Sequence, residues 1–300
     1  MSALFSASAK EADSTLVSAH LDSIVLNYPN RNYQNISSLN GCAAYVHKIF
    51  ERYGDSTHYQ AYEVKGSTYK NVITSFGPRS GERLVIGAHY DVCGNQDGAD
   101  DNASGVVGLL ELARLLKDVS LKKRIDLVAY TLEEPPFFRS RQMGSYVHAQ
   151  YLSDNNIPVY GMICLEMIGY FSDQKKSQAY PLKLLRLFYG NKGDFITVVK
   201  KICGGKMPRK FKRKFKKNEL LKTKSFSAPA KLTGIDFSDH LNYWAFDYPA
   251  VMVTNSGFYR NPHYHKSSDQ IHTLNLSKMT QVIQQIYLTL IESCSVSKQS

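Results

Sequence analysis

The 300-residue sequence predicts an α/β fold, a three-layer sandwich with a mixed, largely parallel central sheet flanked by helices. Three observations predict it. Stretches of strand character alternate along the chain with stretches of helical periodicity, the pattern left by crossover connections. The run Leu84-Val85-Ile86-Gly87-Ala88 is mostly apolar, as a buried strand should be. Finally, the candidate functional side chains His89, Asp101, Glu133, Glu134, Glu166 and His265 each follow such a strand. Sites in α/β sheets form beyond the carboxyl ends of strands, so these distant residues are expected at one edge.

In chain order, residues 12–27 carry apolar side chains at helical spacing. Residues 33–38 are polar and predict a loop, with Ser38 or Asn40 capping a helix that runs to about Tyr53. Residues 58–64 and 71–75 are strand-like, and the turn Gly77-Pro78-Arg79-Ser80-Gly81 leads into the central strand ending at His89. A helix is expected over 106–116 and an alternating, β-branched strand over 124–131. Glu133-Glu134 and a Pro-Pro-Phe-Phe loop follow, then Gly144 and a helix over 145–152. Strands are predicted at 159–164, 195–199 and 249–254, and a closing amphipathic helix at 275–291. With no internal repeat or low-complexity linker, residues 1–300 are expected to form one domain with a basic insertion at about 200–224.

Composition narrows the classes. No apolar run approaches the roughly 18 residues of a membrane span. Residues 1–11 lack the basic start and long apolar stretch of a secretory signal, so a cytoplasmic protein is expected. The five cysteines are scattered without CxxC spacing, which argues against a disulfide framework or a thiolate zinc site. Cys93 near the expected site reads as an inert, partly buried thiol. The net charge of +11 is local: residues 200–224 hold twelve Lys/Arg and one acid, Glu219, while the rest of the chain holds 25 bases and 25 acids.

Two histidines and several carboxylates at one sheet edge are the ingredients of a divalent-metal site. Such a set can hold two zinc-class ions if one carboxylate bridges them, and a helix-start aspartate such as Asp101 has the fixed position a bridge needs. Paired ions clamp a carbonyl and acidify a water. A carboxylate that is not a ligand must then move the proton to the leaving amine. Adjacent Glu133-Glu134 can serve as ligand and base. Asp91, two residues after His89, is placed to accept the imidazole's other N–H.

The ordered motifs His89-Tyr90-Asp91, Gly98-Ala99-Asp100-Asp101-Asn102-Ala103-Ser104-Gly105, Glu133-Glu134 with Gly144-Ser145, Glu166-Met167-Ile168-Gly169, Ser238-Asp239-His240 and Asn261-Pro262-His263-Tyr264-His265 resemble the M28 family of zinc exopeptidases, the aminopeptidase group. The resemblance spans residues from about 89 to the C-terminus. It implies a zinc-exopeptidase-like fold and two Zn2+ per chain, held by His89, Asp101 as bridge, Glu134, Glu166 and His265. It also implies Glu133 as general base, Tyr264 as a stabiliser of the tetrahedral intermediate, and a peptide substrate losing its N-terminal residue. There are departures. Glu166 stands where the family usually has Asp, the typical Asp-Thr reads Asp269-Gln270, and the stretch after Glu134 is longer than the simple Gly-Leu-Xaa-Gly-Ser form. That longer stretch is expected to wall the substrate pocket.

Plainer roles are expected elsewhere. His263 rivals His265, but the tyrosine-histidine order favours His265. His148 and His272 read as ordinary helix residues, and Asp239 as a carboxylate that orients a metal-ligating side chain or fixes a loop. The basic segment reads as a solvated helix or a flap at the site's rim, with steering of acidic substrates or a nucleic-acid or acidic-membrane surface as alternatives. Two further functional classes stay in view. One is a single-zinc glutaminyl-peptide cyclase; the other is a non-catalytic binding protein on a peptidase fold. Carboxypeptidase or amidase specificity also stays open.

Overall fold

Side chains alternate across the pleat, so the central strand feeds two cores at once. In the computed structural model, which describes residues 10–230, 232 and 234–296, Leu84, Ile86 and Ala88 join one apolar cluster while Val85 joins the other. Most of the N-terminal stretch expected to lack a secretory signal, residues 1–9, lies outside the described residues.

Helices α1 (Ser14–Asn27) and α2 (Ile36–Tyr53) come first. Strands β1 (Ser56–Val64) and β2 (Ser67–Phe76) form a hairpin whose two-residue turn, Lys65-Gly66, is left-handed at both positions, as twisted antiparallel strands require. Next come β3 (Arg83–His89), α3 (Gly105–Leu116), β4 (Arg124–Tyr130), α4 (Gly144–Asp154) and β5 (Val159–Glu166). The last third holds α5 (Leu185–Tyr189), β6 (Ile196–Lys201), α6 (Lys206–Lys217), β7 (Thr223–Ala228), α7 (His240–Ala245), β8 (Ala250–Thr254) and α8 (Leu276–Cys294).

The eight strands form one sheet in the order β1-β2-β4-β3-β5-β8-β6-β7. Its middle, β4-β3-β5-β8, is parallel throughout, so four carboxyl ends meet at one edge. Strand order reverses about β3, since β4 lies on one side and β5 on the other; this is the crevice where sites form. Helices α1, α2, α3, α6 and α8 cover one face, and α4 and α7 the other. The sandwich is the predicted one.

Local differences have local causes. Helix α2 starts inside the stretch expected to be a loop, because Asn35, rather than Ser38 or Asn40, caps it by accepting from the Ser38 N–H. Strand β7 and the short helices α5 and α7 were not expected. The basic segment forms part of β6, all of α6 and the start of β7. Met207, Phe211 and Phe215, spaced by four, bury one face of α6 in the core, so it is a packed layer helix with its cations outward.

Two buried histidines report on acid stability. His148, on α4, lies 2.6 Å from the Tyr243 hydroxyl, and burial pushes its pKa down to about 4. His240 is likewise lowered by burial to about 4. The folded state keeps both neutral, while the unfolded chain protonates them near the ordinary 6.5. Between about pH 4 and 6.5 the unfolded chain therefore binds more protons, and stability falls as pH falls through that window. For His148 alone the loss reaches about 3 kcal/mol at pH 4. In denaturant titrations at pH 7 and pH 4.5, His148→Gln is expected to lose less stability on acidification than the wild type. An equal loss would show that His148 does not titrate this way.

Candidate metal and catalytic site

Each expected site residue reaches the shared edge from a different element. His89 is the last residue of β3 and Glu166 the last of β5. Glu133 and Glu134 follow β4, Asp101 lies in the tight turn Ala99–Ser104 leading into α3, and His265 lies in the loop after β8. The turn depends on Gly98, at φ +58°, where a Cβ would sit 2.4 Å from the Asp101 carbonyl oxygen. Behind it, the wholly buried Arg31 donates to the carbonyls of Tyr90, Asp97 and Gly98 and so fixes the β3–α3 connection.

The two oxygens of Asp101 face two different imidazoles. Oδ1 is 3.4 Å from His89 Nε2, and Oδ2 is 3.3 Å from His265 Nε2. Each imidazole has a second carboxylate: Glu166 Oε2 lies 3.4 Å from His89 Nε2, and Glu134 Oε2 lies 3.2 Å from His265 Nε2. Glu133 stands farther off, with Oε2 at 3.9 Å from His89 Nε2. Tyr264 stacks on His265 at 3.8 Å between ring centroids, and His263 instead pairs with Ser268.

The electrostatics are those of a buried carboxylate cluster. Burial raises Glu133 well above the usual carboxylate range, and Glu134 and Glu166 add to it. Burial, then Asp101, pushes Glu134 up to about 7. Burial would also raise Asp101, but His265 and His89 outweigh it and pull the carboxyl below its ordinary value. For His89, burial acts downward, yet Glu133, Glu166 and Asp101 lift it well above 6.5. Burial, with Glu166 and Asp91 adding, holds Asp239 at about 7 at the start of α7. Four converging, largely buried carboxylates call for bound cations, and among the described residues they are not supplied by Lys or Arg ion pairs. One Glu134 oxygen, Oε1, is buried without a partner. Imidazole and carboxylate donors suit a zinc-class ion.

Around these residues the loops are fixed through the main chain. His89 Nδ1 lies 3.1 Å from the Asp91 carbonyl oxygen and 3.6 Å from its carboxylate. The Asp91 carboxylate itself accepts from the Glu133 and Glu134 N–H groups, so it also orients that pair. Three positioning residues were missed in the sequence. Asp100 accepts from the Gly169 and Tyr170 N–H groups and from the Asn255 and Asn261 side chains. Asp269 accepts from the Asp100 and Asp101 N–H groups. Ser238 Oγ donates to Glu166 Oε2 at 2.6 Å, anchoring the longer side chain. The Asp100-Asp101 pair and the Ser238-Asp239-His240 motif were the available signals; the partners they select are remote.

Cys93 Sγ comes within 4.8 Å of donor atoms of Glu134 and His265. Burial, then the surrounding carboxylates, raises its thiol to about 11, which keeps it protonated. Beside the cluster opens a cavity of about 380 Å³ whose walls include Phe138, Tyr180, Tyr189, Phe195, Phe226 and Phe237.

The profile of peptidase family M28 matches residues 71–290. The uncharacterized Escherichia coli protein YfbL is 44% identical over 271 residues, 88% of this chain and 83% of its own length. In fold, the chain is similar to the LapA aminopeptidase of Legionella pneumophila, with a TM-score of 0.74 and 22% identity over 95% of this chain and 73% of that one. It is also similar to the glutaminyl cyclase of Bacteroides thetaiotaomicron, solved with N-acetylhistamine, with a TM-score of 0.68 and 18% identity over 94% and 98% of the two chains.

Proposed function

The chain belongs to peptidase family M28, and on that premise we propose that it is a two-zinc aminopeptidase. The observation that carries this reading is Asp101, whose two oxygens face His89 and His265 separately, each imidazole having its own further carboxylate. That layout supports two metal positions sharing one bridge. His89 and Glu166 would hold one ion, Glu134 and His265 the other. Bound there, the ions would polarise the scissile carbonyl and lower the pKa of a water to about 7.

The chain's own groups supply the rest. Glu133, outside the proposed ligand set, takes the proton from the attacking water and returns it to the leaving amine. Its raised pKa suits both halves of that task. The Tyr264 hydroxyl donates to the oxyanion as the tetrahedral intermediate forms. Asp91, Asp100, Ser238 and Asp269 are positioning residues.

The cavity supports the amino end of a peptide as the substrate's recognised terminus. Its wall carries Asp101, Glu133, Glu134 and Glu166 and, among the described residues, neither a lysine nor an arginine. No lysine or arginine is therefore placed there to pair with a C-terminal carboxylate, while Glu133, outside the proposed ligand set, can accept from a free ammonium. The aromatic walls favour a bulky apolar first residue.

The test is metal content per chain, paired with hydrolysis of aminoacyl chromogenic substrates before and after chelation. Two equivalents of zinc and chelator-sensitive release of Leu or Phe ahead of Lys or Asp are expected. One equivalent without hydrolysis would replace this reading with cyclase chemistry, and no bound metal with a binding role.

A further inference from the structure

We propose that the end of the molecule built from α5, β7 and α6 docks on an anionic phospholipid surface. Two independent features meet there. The first is a run of exposed apolar side chains: Leu182, Leu184, Leu187 and Phe188 are 57%, 65%, 79% and 78% exposed. Of eleven large apolar side chains exposed among the described residues, four fall within these seven positions. Lys183 and Arg186, interleaved with them, are also exposed.

The second feature is the outer face of α6. Its core-facing side is Met207, Phe211 and Phe215, and Gln285 of α8 holds it by donating to the Phe215 carbonyl and to Thr223 of β7. The opposite side presents Lys206, Arg209, Lys210, Arg213, Lys216 and Lys217 to solvent. The two features are contiguous, because Phe188 lines one cleft with Lys212, Lys216 and Lys224.

The chemistry selects lipid. Outside residues 200–224 the formal charge sums to zero, so attraction to an anionic surface acts at this end with no opposing net charge elsewhere. A basic face alone would serve nucleic acid equally well, but exposed leucines gain nothing from phosphates or bases. Apolar side chains that enter the acyl boundary, with cations at the headgroups, are the two signals that stable peripheral attachment needs. The inward side of the same segment, Tyr180, Pro181, Leu185 and Tyr189, walls the cavity, so attachment would bear on one wall of the substrate pocket. This inference does not depend on the peptidase chemistry.

The experiment is co-sedimentation of the whole chain with vesicles of phosphatidylcholine alone or mixed with phosphatidylglycerol. Binding is expected to the mixed vesicles only, and to fade as salt shortens the electrostatic range. A Leu187→Ser, Phe188→Ser double variant and a Lys210→Glu, Arg213→Glu double variant should each bind at least about tenfold more weakly, with unchanged circular dichroism and melting. None of these four residues lines the cavity. Absence of binding to mixed vesicles at low salt overturns the proposal. So does undiminished vesicle binding by the serine variant; equal binding of both proteins to a single-stranded oligonucleotide would then assign the patch to nucleic acid.

Discussion

Glu133→Gln is expected to keep the fold and both metal equivalents while losing about 10²- to 10⁴-fold in kcat. Glu133 stands farther from an imidazole than the other acids, although its carboxylate also lies within 4.8 Å of donor atoms of His89 and Glu134. Asp101, Glu134 and Glu166 each lie within 3.4 Å of an imidazole, whereas Glu133 approaches His89 only to 3.9 Å. Its main-chain N–H is held by Asp91, so the amide variant should occupy the same place. Glutamine preserves volume and hydrogen bonding but cannot accept and release the proton. Metal analysis and steady-state kinetics on the same preparation check this. Loss of metal together with activity would make Glu133 a ligand, and wild-type turnover would move the base elsewhere.

Asp101→Asn should have the opposite signature, losing metal first and activity as a consequence. The side chain offers one oxygen to each imidazole, and the amide replaces one oxygen with an NH₂ group that cannot ligate. Metal content should fall from two equivalents to one or fewer, and turnover to background. A thermal readout separates this from damage to the fold. Zinc at 100 times its Kd stabilises a binding-competent chain by about 2.7 kcal/mol, so the wild-type Tm should rise on adding metal while that of the variant stays flat. Two equivalents retained by the variant would end the bridging assignment.

The fold was legible because its signals are local. The apolar run of β3, the β-branched alternation of β4 and the periodicity of α3 and α8 each lie within a few turns of chain. The converging residues were legible for a related reason: strand ends followed by His, Asp or Glu can be found one at a time. Asp100, Asp269 and Ser238 escaped because their partners lie 69 to 169 residues away, at strand ends and in loops whose approach no periodicity reports. Strand β7 escaped because lysines at its start obscure the alternation of Thr223-Lys224-Ser225-Phe226. In α6 the spacing of Phe211 and Phe215 was visible, but the sequence did not show that the sheet would cover them.

Asp100 gathers donors from the ends of β5 and β8 and from the loop carrying His265 onto one carboxylate. A substitution in any of those three segments is therefore expected to disturb the carboxylate that the other two also hold. Residues 180–189 contribute no donor to Asp100. That separation gives the molecule a tied floor and an independent wall: side chains of residues 180–189 can be exchanged without breaking a donor bond to Asp100.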